Sequence, residues 1–272
     1  MPAYPISHNA TYMKSWLWTG SEYAPATSVP ISDRGFRYGM SLFETVRVWN
    51  GRIEFWEQHR QRLFSSCVER DFPLDEKILW RAAEILETAE VNGVARLYVT
   101  AGDGGPSAPA KEPRVFLMLE AREAEKEDCW EIGIHEETYR APFGGLKTAN
   151  YWFNCDALAV AKARRLDEAL LFNDLAELVS ACCANVFLVK GGKILTPSRS
   201  SGCRTGIVRD WVLKRRKVDE RRIRREDVVN ADEVFLTNSW IGVMPVATLE
   251  GRPLGPRSIS TKLAGEIARM RE

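Results

Sequence analysis

The sequence has almost no net charge and no long apolar run, and these absences exclude several classes of protein. Its 38 lysine and arginine residues nearly balance 37 acidic residues, so the formal net charge is +1. No strong field therefore draws the whole chain to nucleic acid or to an anionic membrane. No apolar stretch approaches the roughly 20 residues that span a bilayer. The N-terminal Met1-Pro2-Ala3-Tyr4-Pro5 lacks the basic start and apolar core of a signal peptide, so we expect a cytoplasmic protein.

Cysteine is also sparse, and its spacing excludes the usual metal motifs. The six cysteines are Cys67, Cys129, Cys155, Cys182, Cys183 and Cys203. No C-x-x-C pair occurs among them, so the sequence predicts no metal site. Reduced thiols in a cytoplasmic protein are the expected state. We expect Cys182 and Cys183, which stand next to an apolar strand, to be small core residues.

The sequence contains the signals of a mixed helical and stranded protein. Apolar runs around Asn50-Gly51 and Gly191-Gly192 predict two tight β-hairpins. Apolar residues at helical spacing predict helices near 55–67, 78–89, 154–165 and 206–216, and alternating or apolar runs predict strands near 95–101, 115–120, 130–135, 169–173, 186–189 and 233–237. Helices and strands mix without strict alternation, which favours an α+β fold. A charged stretch at 122–128 predicts a boundary between a smaller domain, 1–122, and a larger one, 129–272.

Several short segments, in a fixed order, carry a family resemblance. They are Ser32-Asp33-Arg34-Gly35-Phe36, Gln58-His59-Arg60-Gln61-Arg62-Leu63, Leu146-Lys147-Thr148-Ala149-Asn150-Tyr151 and Cys182-Cys183-Ala184-Asn185-Val186. Together they resemble the class IV aminotransferases, from about residue 30 to about residue 250. That family uses pyridoxal 5'-phosphate and includes branched-chain and D-amino acid aminotransferases and aminodeoxychorismate lyases. The resemblance implies a two-domain α+β fold (fold type IV) with the cofactor in the cleft between the domains, and a homodimer.

The resemblance also assigns a role to Lys147. In such enzymes this lysine forms a Schiff base with the cofactor, which requires an amine that loses its proton easily in a partly desolvated pocket. Without the resemblance, a lysine between Gly144-Gly145 and Thr148-Ala149-Asn150 would usually be a solvent-exposed residue without a function. Tyr151 matches an aromatic hydroxyl near the cofactor ring, where it either bonds the ring's phenolic oxygen or packs against it.

Four further residues match the phosphate site of the family. Arg62 matches the arginine of an H-x-x-R-L helix, although without the match it would read as a surface residue. Ile207 and Val208 follow Gly206 at a predicted helix start, whose free N–H groups suit an anion. Ser239 matches a hydroxyl residue that bonds the phosphate.

The chain departs from the family at Ser180. Relatives have a glutamate five residues before the asparagine that matches Asn185, and this carboxylate keeps the pyridine nitrogen protonated. A serine hydroxyl has no charge with which to hold that proton, so Ser180 is expected to weaken amino transfer more than elimination. Glu177 lies at an odd offset from Ser180 along a strand and should face the other way.

Substrate recognition is less sharply indicated. Phe43 resembles an aromatic pocket wall, and Arg47 or Arg96 could bind a substrate carboxylate, or each could be a surface or ion-paired residue. Thr100-Ala101-Gly102 lacks the arginine that D-amino acid aminotransferases carry in the matching turn.

The resemblance leaves two reactions open. Amino transfer between an amino acid and a 2-oxo acid is the first expectation, and an aminodeoxychorismate lyase-type elimination giving 4-aminobenzoate and pyruvate is the alternative. A remote alternative is nucleic-acid binding through the basic segment 214–225. The simpler interpretation of that segment is a solvated helix end and loop, because acidic residues stand close by.

Overall fold

The computed structural model describes residues 13–271, and its strands form two sheets. Strands of the first sheet end at Ala121 and those of the second begin at Trp130, on either side of the charged stretch 122–128. The expectations for Met1-Pro2-Ala3-Tyr4-Pro5 and for the first twelve residues of the smaller domain lie outside the described residues. None of the helices within 13–271 combines the length and apolar character needed to cross a bilayer.

The first sheet has six antiparallel strands. They are β1 (Met13–Trp18), β2 (Tyr23–Pro25), β3 (Ser41–Trp49), β4 (Arg52–Ile53), β5 (Gly93–Thr100) and β6 (Arg114–Ala121), in the spatial order β2-β1-β6-β5-β3-β4. Three helices belong to this half, namely α1 (Arg34–Tyr38), α2 (Trp56–Glu69) and α3 (Glu76–Glu87). The apolar stripes of α2 and α3 pack with inward residues of the strands, so Leu63, Leu79 and Leu97 share one core.

The predicted hairpin at Asn50-Gly51 joins β3 to β4. Both turn residues have positive φ, 51° and 71°, as a tight turn between twisted strands requires. The second predicted hairpin, at Gly191-Gly192, joins two strands of the other sheet. Both hairpin predictions are therefore confirmed.

The second sheet is larger and mixed. Its strands are β7 (Trp130–Ile134), β8 (Glu168–Phe172), β9 (Leu178–Ala181), β10 (Asn185–Lys190), β11 (Lys193–Pro197), β12 (Val218–Arg221), β13 (Glu233–Asn238), β14 (Gly242–Leu249) and β15 (Arg252–Pro253). The order is β12-β11-β10-β13-β14-β7-β8-β9, with β15 beside β14. Four helices accompany it, namely α4 (Trp152–Ala163), α5 (Ile207–Leu213), α6 (Arg225–Val229) and α7 (Ser258–Arg271).

The basic segment 214–225 does not form only a helix end and loop. Helix α5 ends at Leu213, and residues 218–221 form β12, which pairs in parallel with β11 at the sheet edge. Charged residues blunt such edge strands, which explains why the sequence pattern did not predict a strand there.

The short segment around Lys147 connects the two sheets. The N–H of Phe43 donates to the carbonyl of Lys147 at 2.9 Å, and the N–H of Ala149 donates to the carbonyl of Ser41 at 2.9 Å. Leu42 and Thr148 form an isolated antiparallel bridge between these two bonds. The segment that carries Lys147 is therefore fixed to β3 of the first sheet.

Candidate active site

A cavity of about 700 Å³ lies between the two sheets and receives side chains from both. Phe43 and Arg96 reach it from the first sheet, and Ser180 and Ser239 from the second, with Lys147 between them. The fold thus brings together residues that are far apart in the sequence.

Lys147 lies among aromatic rings inside this cavity. Its Nζ is 3.9 Å from the ring centroid of Phe43 and 5.6 Å from that of Tyr151. Burial lowers the pKa of Lys147 well below its ordinary value, and the Arg204 guanidinium lowers it further, while Glu44 opposes the shift. The Lys147 amine therefore loses its proton more easily than an ordinary lysine, which favours its nucleophilic and basic form.

Tyr151 stands immediately before α4, where its ring lines the cavity beside Lys147. Nη1 of Arg204 donates to the Tyr151 hydroxyl oxygen at 2.8 Å. Burial raises the pKa of Tyr151, and Arg204 only partly offsets this, so the hydroxyl keeps its proton. Sequence reasoning missed Arg204, since it falls in an irregular segment with no motif of its own.

Arg62 is held by a carboxylate and is not a surface residue. Its Nε and Nη2 donate to the two oxygens of Glu44 at 2.6 and 2.7 Å, and Nη1 donates to the Thr205 carbonyl at 2.6 Å. Burial alone would raise the pKa of Glu44, but Arg62 and His59 together hold it well below its usual range. Glu44 is thus a fully buried anion that fixes the guanidinium at the cavity wall.

His59 extends this network to Ser239. The imidazole is fully buried, and its Nδ1 lies 2.7 Å from Glu44 while its Nε2 lies 3.1 Å from the Ser239 hydroxyl. Burial lowers the pKa of His59, so the ring is neutral. Nδ1–H then donates to the carboxylate, and Nε2 accepts from Ser239. Glu44 therefore positions two of the predicted phosphate residues, Arg62 directly and Ser239 through His59.

Ile207 and Val208 begin α5, but they point in different directions. Ile207 lines the cavity, whereas the Val208 side chain is buried in the core with Phe187. Only the backbone of Val208 can serve a ligand. Gly206 precedes them with no side-chain cap, and a Cβ there would lie 2.0 Å from Oδ1 of Asn185.

One protein-family model matches most of the chain, including the residues that line the cavity on both sheets. The family model described as "Amino-transferase class IV" matches residues 41–249. The chain belongs to the class IV aminotransferase family. Members of this family are pyridoxal-phosphate-dependent enzymes, so the resemblance seen in the sequence is confirmed.

Individual relatives of this class IV enzyme include both aminotransferases and lyases. A D-alanine aminotransferase of Listeria monocytogenes is 29% identical over 243 residues, which cover 82% of this chain and 83% of that protein. The crystal structure of 4-amino-4-deoxychorismate lyase from Pseudomonas aeruginosa matches with a TM-score of 0.82 and 26% identity, covering 94% of this chain and 98% of that one. Branched-chain amino acid aminotransferase of Escherichia coli matches with a TM-score of 0.83 and 20% identity, covering 94% and 93%. The predicted α+β fold is confirmed.

Ser180 lies on β9 of the class IV enzyme and lines the cavity, half-buried. Glu177 faces away from the cavity, where it is buried near Arg222 at 3.5 Å, so it does not replace the missing carboxylate. Glu168, a buried carboxylate that sequence reasoning missed, accepts the N–H groups of Cys182 at 2.9 Å and Cys183 at 3.2 Å. It fixes the turn that follows Ser180.

The two arginines predicted for substrate binding differ in position. Arg96 lines the cavity and pairs with Glu120 at 2.8 Å. Arg47 does not line the cavity, because its guanidinium pairs with Glu54 at 2.5 Å and stacks 4.3 Å from the ring centroid of Trp49. The structure thus does not bring Arg47 to the site, since the end of β3 extends past the cleft into the hairpin.

Burial and ion pairing bear on two other expectations. Cys182 is a core residue as predicted, but Cys183 is exposed, so the prediction was wrong for the second thiol. In the basic segment, Arg216 pairs with Glu266 at 2.5 Å, and Arg221 pairs with Asp227 at 2.8 Å. Part of the charge that could have contacted nucleic acid is therefore neutralised within the chain.

Proposed function

We propose that this enzyme binds pyridoxal 5'-phosphate covalently through Lys147 and transfers an amino group between an amino acid and a 2-oxo acid. The observation that carries the proposal is a lysine with a strongly lowered pKa, enclosed by aromatic rings in the cavity where the family match predicts the cofactor. Such an amine loses its proton more easily than an ordinary lysine, and its neutral form can attack an aldehyde carbon.

The residues around Lys147 fit the cofactor. Three of the five N–H groups of Arg62 are used within the protein, which leaves two for a phosphate. The backbone N–H groups at Ile207 and Val208 complete the proposed phosphate site, together with the Ser239 hydroxyl once its O–H turns from Nε2 of His59 to the phosphate. Tyr151 would lie beside the ring, near Lys147. When bound, the cofactor supplies an aldehyde that condenses with amines and a ring that stabilises negative charge.

Lys147 is also the group best placed to move protons during the reaction. A general base works best when its pKa lies near the working pH, and burial beside Arg204 brings the Lys147 amine toward that range. Nζ can then accept a proton from the substrate carbon and return it to another atom. Phe43 and Tyr151 exclude water from this amine on two sides.

A lyase reaction is the second candidate, and Ser180 is the observation that favours it. A hydroxyl at that position provides no negative charge to keep the ring nitrogen protonated. Elimination of a good leaving group requires less stabilisation by the ring than amino transfer does. The lyase candidate substrate is an amino-chorismate, as in the Pseudomonas aeruginosa relative.

Three further features belong to the same proposal. We infer that residues 1–122 and 129–272 are two domains, since each half contains its own sheet. We also infer a homodimer, as the family resemblance implies. A cytoplasmic location agrees with six free thiols, because a reducing compartment keeps cysteines unpaired.

The proposal is tested by loading the full chain with pyridoxal 5'-phosphate, reducing it with borohydride and mapping the labelled peptide. Lys147 should carry the label. Lys162 is the control, because it also borders the cavity but is more than half exposed and pairs with Asp167 at 3.3 Å. A label on Lys162, or loading that survives Lys147→Met with unchanged reducible yield, contradicts the assignment.

A substrate panel separates the two reactions. The loaded enzyme is incubated with amino donors plus 2-oxo acids, and separately with aminodeoxychorismate, and the products are identified by mass. Formation of a new amino acid supports amino transfer. Release of 4-aminobenzoate and pyruvate without amino transfer replaces it with the lyase candidate.

A further inference from the structure

The positive charges that line the cavity are unequally neutralised. Six basic side chains border it: Arg62, Arg96, Arg122, Lys147, Lys162 and Arg204. Four of them pair with a carboxylate, namely Arg62 with Glu44, Arg96 with Glu120, Arg122 with Glu125 and Lys162 with Asp167. Lys147 is the proposed cofactor lysine. Arg204 is left as a permanent cation, and none of the described residues forms an ion pair with it.

Arg204 is nevertheless held in a defined position. Asn185 donates to its backbone carbonyl at 2.7 Å, and its Nη1 donates to the Tyr151 hydroxyl at 2.8 Å. Its Cζ lies 5.3 Å from the Tyr151 ring centroid, and its Nε is buried without a hydrogen-bond partner. A buried guanidinium that donates to a phenol and has no anionic partner indicates that a negatively charged group binds near Arg204 and Tyr151 when the site is occupied.

The contact with Arg204 determines what the Tyr151 hydroxyl can do. Because its oxygen accepts a bond from a cation, its own O–H remains free to donate into the cavity. A nearby positive charge also makes that O–H a stronger donor. The pair therefore presents a charge-assisted hydrogen-bond donor in the cavity beside Lys147, whose Nζ is 5.6 Å from the Tyr151 ring centroid.

The chemistry of the proposed cofactor identifies the acceptor. Its ring carries a phenolic oxygen on the carbon next to the one that bears the aldehyde. If Lys147 bonded the aldehyde carbon, this oxygen would be near Nζ, and Tyr151, which lines the cavity beside Lys147, would be the residue to donate to it. The acceptor is therefore a negatively charged oxygen of the cofactor ring.

We propose that Arg204 is a positioning residue that acts through Tyr151 to stabilise negative charge on the phenolic oxygen of the bound cofactor. This inference rests on the proposed function. It also gives a physical complement to Ser180, since a ring that lacks a carboxylate beside its nitrogen gains stabilisation from a cation on the opposite flank. Arg204 is thus the chain's own means of supporting the reaction at a site without the family glutamate.

The proposal predicts a shift in the titration of the lysine-bound cofactor. A cation near a protonatable nitrogen lowers the pKa of that nitrogen, and charge drawn from the phenolic oxygen lowers it further. In Arg204→Leu, the pKa read from the visible absorption band should rise by about one unit or more. Arg204→Lys should restore most of the difference, because the charge returns. Tyr151→Phe should raise the pKa by a smaller amount, because the hydrogen bond is lost while the charge remains.

The experiment is a pH titration of the loaded full chain by absorbance, with Arg96→Leu as the matched control. Arg96 is another arginine at the cavity, but it pairs with Glu120 and makes no hydrogen bond to Tyr151 among the described residues, so its removal should shift the titration less than the removal of Arg204. In the same variants without cofactor, the pKa of Lys147 is measured from pH-dependent acetylation quantified by mass spectrometry. It too should rise in Arg204→Leu, because Arg204 is the largest charge that lowers it.

The outcomes separate the two levels of inference. A wild type that forms no lysine-bound cofactor band overturns the proposed function and this inference with it. A normal wild-type band together with an unshifted pKa in Arg204→Leu overturns the role of Arg204 alone. So does a raised substrate KM with an unshifted pKa, which would make Arg204 a substrate-carboxylate residue. If Arg204→Leu fails to fold, Arg204→Lys and Tyr151→Phe decide the matter, and a Tyr151→Phe pKa equal to that of wild type overturns it.

Discussion

Replacing Arg62 by leucine should reveal how strongly the buried Glu44 pair supports both stability and cofactor binding. The Glu44 side chain is 2% exposed and that of Arg62 is 18% exposed, and two short hydrogen bonds join them. Breaking a buried pair by removing one partner costs about 3–5 kcal/mol. Because His59 remains beside Glu44, we expect about 3 kcal/mol, the lower end of that range. The melting temperature should then fall by roughly 6–12 °C.

The pH dependence provides a second test of the same pair. In the wild type, the pKa of Glu44 is depressed, so its contribution is present above the unfolded value of about 4.3 and is lost as the pH falls through the folded value. In Arg62→Leu the main opposing charge is gone, and burial raises the pKa of Glu44 instead. The stability deficit of the variant should therefore be largest near pH 8 and should shrink toward pH 5, as the buried carboxyl takes up a proton.

Chemical denaturation at both pH values, with two companion variants, measures these effects. Arg96→Leu breaks a half-exposed pair and should cost no more than about 1 kcal/mol. The double variant Glu44→Gln/Arg62→Leu removes the stranded charge and should recover much of the loss at pH 8. The affinity for pyridoxal 5'-phosphate should fall roughly tenfold or more in Arg62→Leu, because a charged hydrogen-bond partner is lost. An Arg62→Leu deficit no larger than that of Arg96→Leu, or a double variant no more stable than the single one, would refute this reasoning.

Three other predictions concern the rest of the site. The rate at which pyridoxal 5'-phosphate becomes attached to Lys147, followed by stopped-flow absorbance, should rise less between about pH 7 and 9 than the nearly tenfold per unit expected of an ordinary lysine. Ser180→Glu should speed the conversion of the loaded enzyme to its amine form by an amino donor in single-turnover spectra, and no gain would mean that another group protonates the ring. Gly206→Ala should cost about 1–3 kcal/mol in denaturation and loosen cofactor binding, because its Cβ would lie 2.0 Å from Asn185. Gly105→Ala, in open space, should be near neutral, and equal effects would contradict this packing argument.

Site residues that belong to a short continuous motif could be predicted from the sequence, because the neighbouring residues in the motif identify them. Lys147 and Tyr151 stand in one such segment, and Ile207 follows a predicted turn into a helix, so local pattern and family match were sufficient. The same holds for the two hairpins, whose turn residues determine which strands pair. Local signals of this kind led to the α+β fold and to several of the residues that line the cavity.

Residues whose role depends on distant partners could not be placed in this way. Arg204 meets Tyr151 across 53 positions, and Glu168 accepts from the N–H of Cys182 across 14. Arg47 stands four residues after Phe43 on β3 and so on the same face by strand alternation, yet it does not line the cavity, because its guanidinium contacts Glu54 and Trp49. Strand periodicity specifies a face, whereas the extent of a cleft depends on tertiary packing.

The hydrogen bonds that fix the Lys147 segment to β3 have a mechanical consequence. The lysine backbone is part of the first sheet's edge, although its chain continues directly into α4 beside the second sheet. If the two sheets separate, as when a ligand enters or leaves, Lys147 travels with Phe43 and keeps its distance to that ring. Its distances to Ser180 and Ser239 change instead, so the same motion that opens the cleft also draws the amine away from the residues of the opposite wall.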